Sequence, residues 1–196
     1  MDLIAHISRQ FEESAQAKLA SIELLAPPLA MAVETLTQAL LANGKILVCG
    51  NGGSAADAQH FTAELLGRFE RERPELAAIA LTSDSATLTA LANDYSLEQI
   101  FAKQVRALGQ PNDILVTLSI SGNAANILAA IEAAHQREMR VIALTGQGGG
   151  RVAEALRADD IHLCVPHERS ACVQEIHILA MHCLCDGIDA LLLGDA

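Results

Sequence analysis

The sequence predicts an α/β fold: a doubly wound, five-stranded parallel sheet in the order 2-1-3-4-5, flanked by helices and preceded by an N-terminal helical arm. Three observations predict it. Short apolar runs bounded by turn residues alternate with segments of helical period, the pattern of parallel strands joined by right-handed crossovers. Apolar residues make up 51% of the chain and aromatics only 3%, so Leu, Ile, Val and Ala must build the core, as in sheets covered on both faces. Two of the strands end in loops of Gly, Ser and Asn, and they are the first and third. In this strand order those two are neighbours, and a ligand crevice lies beyond their carboxyl ends.

The elements follow in order. Ile4, Ile7, Phe11, Leu19, Ile22 and Leu25 have helical spacing over 3–26. Pro27-Pro28 should break that helix, with a second running to about Leu41. Strands are expected at 45–50, 76–81, 113–119, 140–145 and 160–165, and helices at about 54–67, 84–92, 97–108, 123–137, 150–157 and 168–193. The 196 residues suit one substantial domain, with 1–42 as the arm and 43–196 as the α/β core. Gly146-Gln-Gly-Gly-Gly150, after the fourth strand, reads as a flexible turn.

The net charge of −11 opposes non-specific binding to nucleic acid or anionic membranes. An anionic ligand must be held by local N–H groups. The start Met1-Asp2-Leu3-Ile4-Ala5-His6 lacks a basic, then apolar, leader pattern. His182, Asp186 and Asp189 interrupt the apolar stretch from Ile178 to Leu193, which argues against a membrane span. Cys49, Cys164, Cys172, Cys183 and Cys185 show no Cys-x-x-Cys spacing and suit reduced thiols in a cytoplasmic protein.

Gly50-Asn-Gly-Gly-Ser54 opens one helix and Ser119-Ile-Ser-Gly-Asn123 opens another. Backbone N–H groups at such starts form anion sites. Two of them suggest one phosphorylated ligand held from two sides, with Ser54, Ser119 and Ser121 as hydroxyl donors. The first loop also fits a dinucleotide fingerprint, but the second strand ends in Ala80-Leu81-Thr82-Ser83, without the acidic residue that would hold a ribose.

His60 and Glu64 are four apart, so they share a helix face. On the last helix, Gln174 and His182 are eight apart, about 80° around the axis. Each pair alone reads as surface or packed polar residues. Together the four make a mixed N/O set suited to zinc.

Cys-Gly-Asn-Gly-Gly-Ser-Ala-Ala-Asp-Ala-Gln-His over 49–60, Ala92-Asn93-Asp94, Ser119-x-Ser-Gly-Asn123 and Gln174-Glu175-Ile-His177 resemble the sugar isomerase (SIS) domain family, most closely its bacterial phosphoheptose isomerase branch. The resemblance runs from about residue 10 to the C-terminus. It implies a cytoplasmic homotetramer that converts sedoheptulose 7-phosphate to D-glycero-D-manno-heptose 7-phosphate for the heptose of lipopolysaccharide. It further implies zinc bound by His60, Glu64, Gln174 and His182, and substrate contacts from Asn51, Gly52, Gly53, Ser54, Glu64, Asn93, Asp94, Ser119, Ile120, Ser121 and Gln174. Glu64 is then the candidate base and His182 the second acid/base for an enediol(ate) route.

Three positions depart from that family's pattern. Ile120 and Ala124 stand where Thr and Ser are usual in the second loop, which removes two hydroxyl donors. Cys172 stands where close relatives often carry Arg. The alternative is a non-catalytic SIS protein that binds the replication initiator DnaA. It is similar through Arg68-Phe-Glu-Arg-Glu-Arg-Pro74 and Cys183-Leu-Cys-Asp186 but lacks equivalents of Glu64 and His182, which this chain has. A DNA-binding regulator is not expected, because the first 42 residues show no basic recognition helix.

Overall fold

The computed structural model describes residues 1–194. It contains helices α1 (Leu3–Leu41), α2 (Gly53–Leu66), α3 (Ser85–Asp94), α4 (Ile100–Leu108), α5 (Ala125–Gln136), α6 (Gly150–Ala155) and α7 (Ser170–Leu193). The strands are β1 (Ile46–Gly50), β2 (Ala78–Ala80), β3 (Ile114–Ser119), β4 (Arg140–Thr145) and β5 (Ile161–Cys164). All pair in parallel, in the order β2-β1-β3-β4-β5.

Successive strand residues face opposite sides of a sheet, and this alternation separates two buried layers. Ile46, Val48, Val116, Leu118, Ile142 and Leu144 face α1, α2 and α7, meeting Leu36, Phe61 and Ile176. Leu47, Cys49, Leu115, Val141 and Ala143 face the other side, meeting Phe101, Ile127 and Ile131. Gly50 pairs with Leu118 and Ser119 with Thr145. The carboxyl ends of β1, β3 and β4 therefore sit side by side, and their loops share one edge.

The Pro pair does not break the first helix. α1 runs unbroken through Pro27 and Pro28. Each proline lacks the N–H that would bond the carbonyl four residues earlier. Those carbonyls belong to Glu23 and Leu24, both exposed residues. The buried stripe of Leu25, Ala32, Leu36 and Ala39 continues across the prolines and keeps the rod on the core. Smaller differences lie at element ends: β2 covers only Ala78–Ala80, and a 3-10 turn at Leu97–Gln99 precedes α4.

α1 and α7 are each long and apolar enough to cross a membrane by length and composition. α7 instead packs Val173, Ile176, Ala180, Leu184 and Ile188 into the core.

Candidate functional site

The two Gly/Ser loops meet as their strand positions require. Asn51, Ser54, Leu118, Ser119, Ile120, Ser121, Ala124, Gln147 and Ser170 line an open cavity of about 290 Å³. The N-termini of α2, α5 and α7 all reach it through Ser54, Ala124 and Ser170. Ala124 is the N-cap of α5 and gives it no side-chain hydrogen bond. Ile120 lines the cavity while packing partly against the core.

The Gly146–Gly150 turn interlocks with the second loop. Gly146 N–H donates to Ile120 O at 2.8 Å, and Val152 N–H to Gly122 O at 2.8 Å. A side chain at Gly122 (φ +65°) would sit 1.8 Å from Gly149 O, so the approach demands glycine. This turn thus does more than connect β4 to α6: it brings Gln147 to the cavity.

Asn51 is already engaged. Its amide and that of Asn126 exchange two hydrogen bonds, each 2.8 Å, tying the β1 loop to α5. Gln174 is held on the start of α2. Its Nε2 donates to the buried Asp57 Oδ2 at 2.8 Å, and a Cβ on Gly53 would lie 2.5 Å from that nitrogen. Glycine at 53 leaves room for the Gln174 amide over the start of α2.

Further along the same two helices, His60 Nε2 lies 3.2 Å from His182 Nε2 and 3.6 Å from Glu64 Oε1. The two imidazoles meet edge-on, and Phe69 covers the far side of His182 with ring centroids 5.4 Å apart. Donors about 2.0–2.1 Å from a tetrahedral ion are spaced roughly 3.3–3.4 Å. The two distances bracket that spacing, so this set could hold a divalent cation. Burial, then the Glu64 charge, push the neighbouring Cys185 thiol up to about 12, which leaves it neutral.

Two of the remaining expected site residues lie apart. Asn93 and Asp94 are exposed at the end of α3, with Asn93 Nδ2 donating to Asp94 Oδ1 at 3.0 Å, and neither lines the cavity. Gly52 is the N-cap of α2 at φ +57°.

Sequence reading missed Asp57, Asn126, Gln147, Ser170 and Phe69. Asp57 was within reach, since 57, 60 and 64 share one helix face. Gln147 lies in the Gly-rich turn after the fourth strand, on the same edge as the two loops. Asn126, Ser170 and Phe69 come from separate elements and carry no local signal.

Another cluster gathers donors from Glu13, His167 and Cys172 within 4.8 Å of one another. Here Glu13 and His167 are already engaged by Arg169. Arg169 N–H donates to His167 Nδ1 at 3.1 Å, which puts the ring proton on Nε2, and Nε2 faces Glu13 Oε1 at 3.8 Å. The Arg169 guanidinium also bonds Glu13. Burial first, then Glu13, raises the Cys172 thiol above its ordinary value. The cluster ties α1 to the loop before α7.

The SIS domain model matches residues 10–146. A phosphoheptose isomerase of Azoarcus sp. (strain BH72) is 66% identical over 194 residues, spanning 99% of this chain and 98% of that protein. One from Dechloromonas aromatica is 63% identical over the same length, covering 99% of each. The solved structure of a phosphoheptose isomerase from Francisella tularensis superposes with a TM-score of 0.94 at 51% identity, covering 96% of this chain and 99% of that one. The Neisseria gonorrhoeae phosphoheptose isomerase structure gives 0.92 at 51% identity and the same coverage. With this similarity along nearly its whole length, the chain belongs to the SIS domain family and, within it, to the phosphoheptose isomerases.

Proposed function

We propose that this protein isomerises sedoheptulose 7-phosphate to D-glycero-D-manno-heptose 7-phosphate, an early step toward the heptose of lipopolysaccharide, in the cytoplasm. The observation that carries the reading is the convergence of His60, Glu64 and His182 on α2 and α7, two of the helices whose N-termini reach the cavity built by the Ser loops. The full-length relatives named above support it. The same convergence favours catalysis over the non-catalytic, DnaA-binding reading.

The phosphate sits in the cavity, on the N–H groups of three helix starts and the hydroxyls of Ser54, Ser119 and Ser121. The sugar chain extends along α2 toward Glu64, which lies ten residues past Ser54. Glu64 takes the proton from C1 of the ketose. The C1–H electron pair forms the C1=C2 bond of an enediolate, and the carbonyl pair moves to O2. His182 gives a proton to C2, where the C1=C2 pair forms the new C–H bond. The hydroxyl proton of O1 passes to O2 as C1=O forms, and Glu64 and His182 reset by exchanging their protons with solvent. No electron is gained or lost, so no redox cofactor is needed. His60, Glu64 and His182, with Gln174 alongside, would hold zinc, which supplies Lewis-acid stabilisation of negative oxygen.

The protein acts as a homotetramer, with 1–42 as a packing arm on a single SIS domain. Ile4, Ile7, Phe11, Leu19 and Ile22 on α1 and Leu179 and Leu191 on α7 are large and exposed in one chain. Such faces suit burial against other copies. The test is an assay of the purified chain with sedoheptulose 7-phosphate, with and without added zinc. Turnover to the aldose that is raised by zinc is expected. Phosphosugar binding without turnover in either condition would overturn the reading.

A further inference from the structure

Arg73 lies in the loop between α2 and β2, yet its side chain is only 1% exposed. Its Nε donates to Asp189 Oδ1 on α7 at 2.6 Å, and Asp189 is 2% exposed. Its other nitrogens donate to the end of α2: Nη2 to Glu64 O at 2.8 Å and Nη1 to Leu65 O at 2.9 Å. These are carbonyls that a helix leaves unpaired at its C-terminus, where a cation is also favoured by the helix dipole. One guanidinium therefore grips α2 at the residue that carries the Glu64 carboxylate, and grips α7 at Asp189. Asp189 is seven residues past His182, two helical turns along the same face.

Among the described residues, hydrogen bonds join α2 to α7 directly at two places, Gln174 to Asp57 and His60 to His182. The Arg73 bridge adds a third, at the far end. The His60–His182 contact thus lies between two polar clamps. Asp189 Oδ2 is buried with no partner among the described residues. A buried pair of this kind adds little over apolar packing of the same volume, but it defines one arrangement of the parts it joins.

We infer that the Arg73–Asp189 pair is a positioning element that sets α2 against α7 and so holds His60, Glu64 and His182 in register. The catalytic consequence rests on the proposed function, but the register itself does not.

The test compares the parent with Arg73→Lys and with the apolar double variant Arg73→Met/Asp189→Leu. Ring-nitrogen NMR of the metal-free protein reads the His60–His182 contact. Zinc titration and steady-state kinetics with sedoheptulose 7-phosphate read its consequences. Both variants are expected to fold, and to lose the paired His60 and His182 Nε2 signals. Zinc affinity and kcat should fall about 10–100-fold, with KM changed far less. A folded double variant that keeps the paired signals and zinc affinity within about twofold of the parent overturns the inference. Failure of both variants to fold would also overturn it, by making the pair a requirement of the fold. If the parent shows the paired signals and the variants lose them, but the parent neither binds zinc nor turns over substrate, the proposed function fails and the positioning role stands.

Discussion

The Nε2 atoms of His60 and His182 lie 3.2 Å apart, although 122 residues separate them in the chain. Two imidazoles at that distance share one proton or one cation between them. Glu64, one helical turn from His60, completes the group at 3.6 Å. Most of the site's testable chemistry follows from this meeting of α2 and α7.

Glu64→Gln will keep the fold and abolish isomerisation. The amide is nearly isosteric but accepts no proton, and loss of a positioned general base costs about 10²–10⁴-fold. The Glu64 backbone carbonyl still receives Arg73, so α2 keeps its clamp. Turnover of the variant within about tenfold of the parent would remove Glu64 from this role.

Zinc will bind at about one ion per chain. Metal analysis after reconstitution and dialysis should show it lost from His60→Ala/His182→Ala. Retention of the metal by the double variant would place it elsewhere, with Glu13, His167 and Cys172 the first alternative to examine by substitution.

Ala124→Ser will stabilise the protein and tighten phosphosugar binding. As N-cap of α5, Ala124 leaves the helix without a side-chain acceptor, and a Ser there typically contributes ~0.5–2 kcal/mol. Its hydroxyl would also enter the cavity. Ile120→Thr should behave differently, because Ile120 packs partly against the core; Thr there gives up apolar burial for a hydroxyl. Denaturation and calorimetric titration of both single variants check the contrast. Weaker binding by a well-folded Ala124→Ser would show that backbone N–H groups and Ser121 already saturate the phosphate.

Stability will fall as the pH drops from about 7 toward 5. Burial holds the His177 imidazole below its ordinary value, against the opposing hydrogen bond to Thr145 O and the Asp57 charge. Nε2 makes that bond at 3.0 Å, and Nδ1 is buried without a partner. Burial also lowers the half-exposed His162. The unfolded chain therefore binds protons first. The histidine contribution is complete above the unfolded value of about 6.5 and is lost as pH falls through the lowered folded value. For His177 the slope approaches ~1.4 kcal/mol per pH unit in that window. Urea denaturation at several pH values should show the fall, and His177→Gln should flatten it. Carboxylates held low, Glu175 by Ser14 and Asp84 by Thr87, respond only at more acidic pH. A flat profile between pH 5 and 7 would contradict the assignment.

The homotetramer predicts a light-scattering mass near four times that of the chain at micromolar concentration. Ile7→Asp with Phe11→Asp, both on exposed α1 positions, should lower it. A parent that scatters as a monomer would remove the oligomeric arm.

The sheet order, the two Gly/Ser loops and the shared face of His60 and Glu64 were legible in the sequence. Each depends on a period or a turn signal carried by neighbouring residues, which local sterics and hydrogen bonding enforce wherever the segment lies. The strand order then brought the loops to one edge.

The tertiary structure decided what those signals could not. Asn51 reads as a substrate contact, and only the fold shows that it lines the cavity while paired with Asn126 across 75 residues. Gln174 reads as a metal ligand from its place on α7, but only the fold shows that its Nε2 is held by Asp57 on α2. Pro27-Pro28 reads as a helix break, yet α1 continues, because its buried stripe resumes beyond the prolines and the freed carbonyls belong to exposed residues. Arg73 sits in a charged surface-like run and is buried on Asp189. In each case the outcome turns on which polar partner or apolar surface the packed chain brings within a few ångströms. That depends on how helices settle on the sheet, a property of the whole molecule that local spacing does not carry.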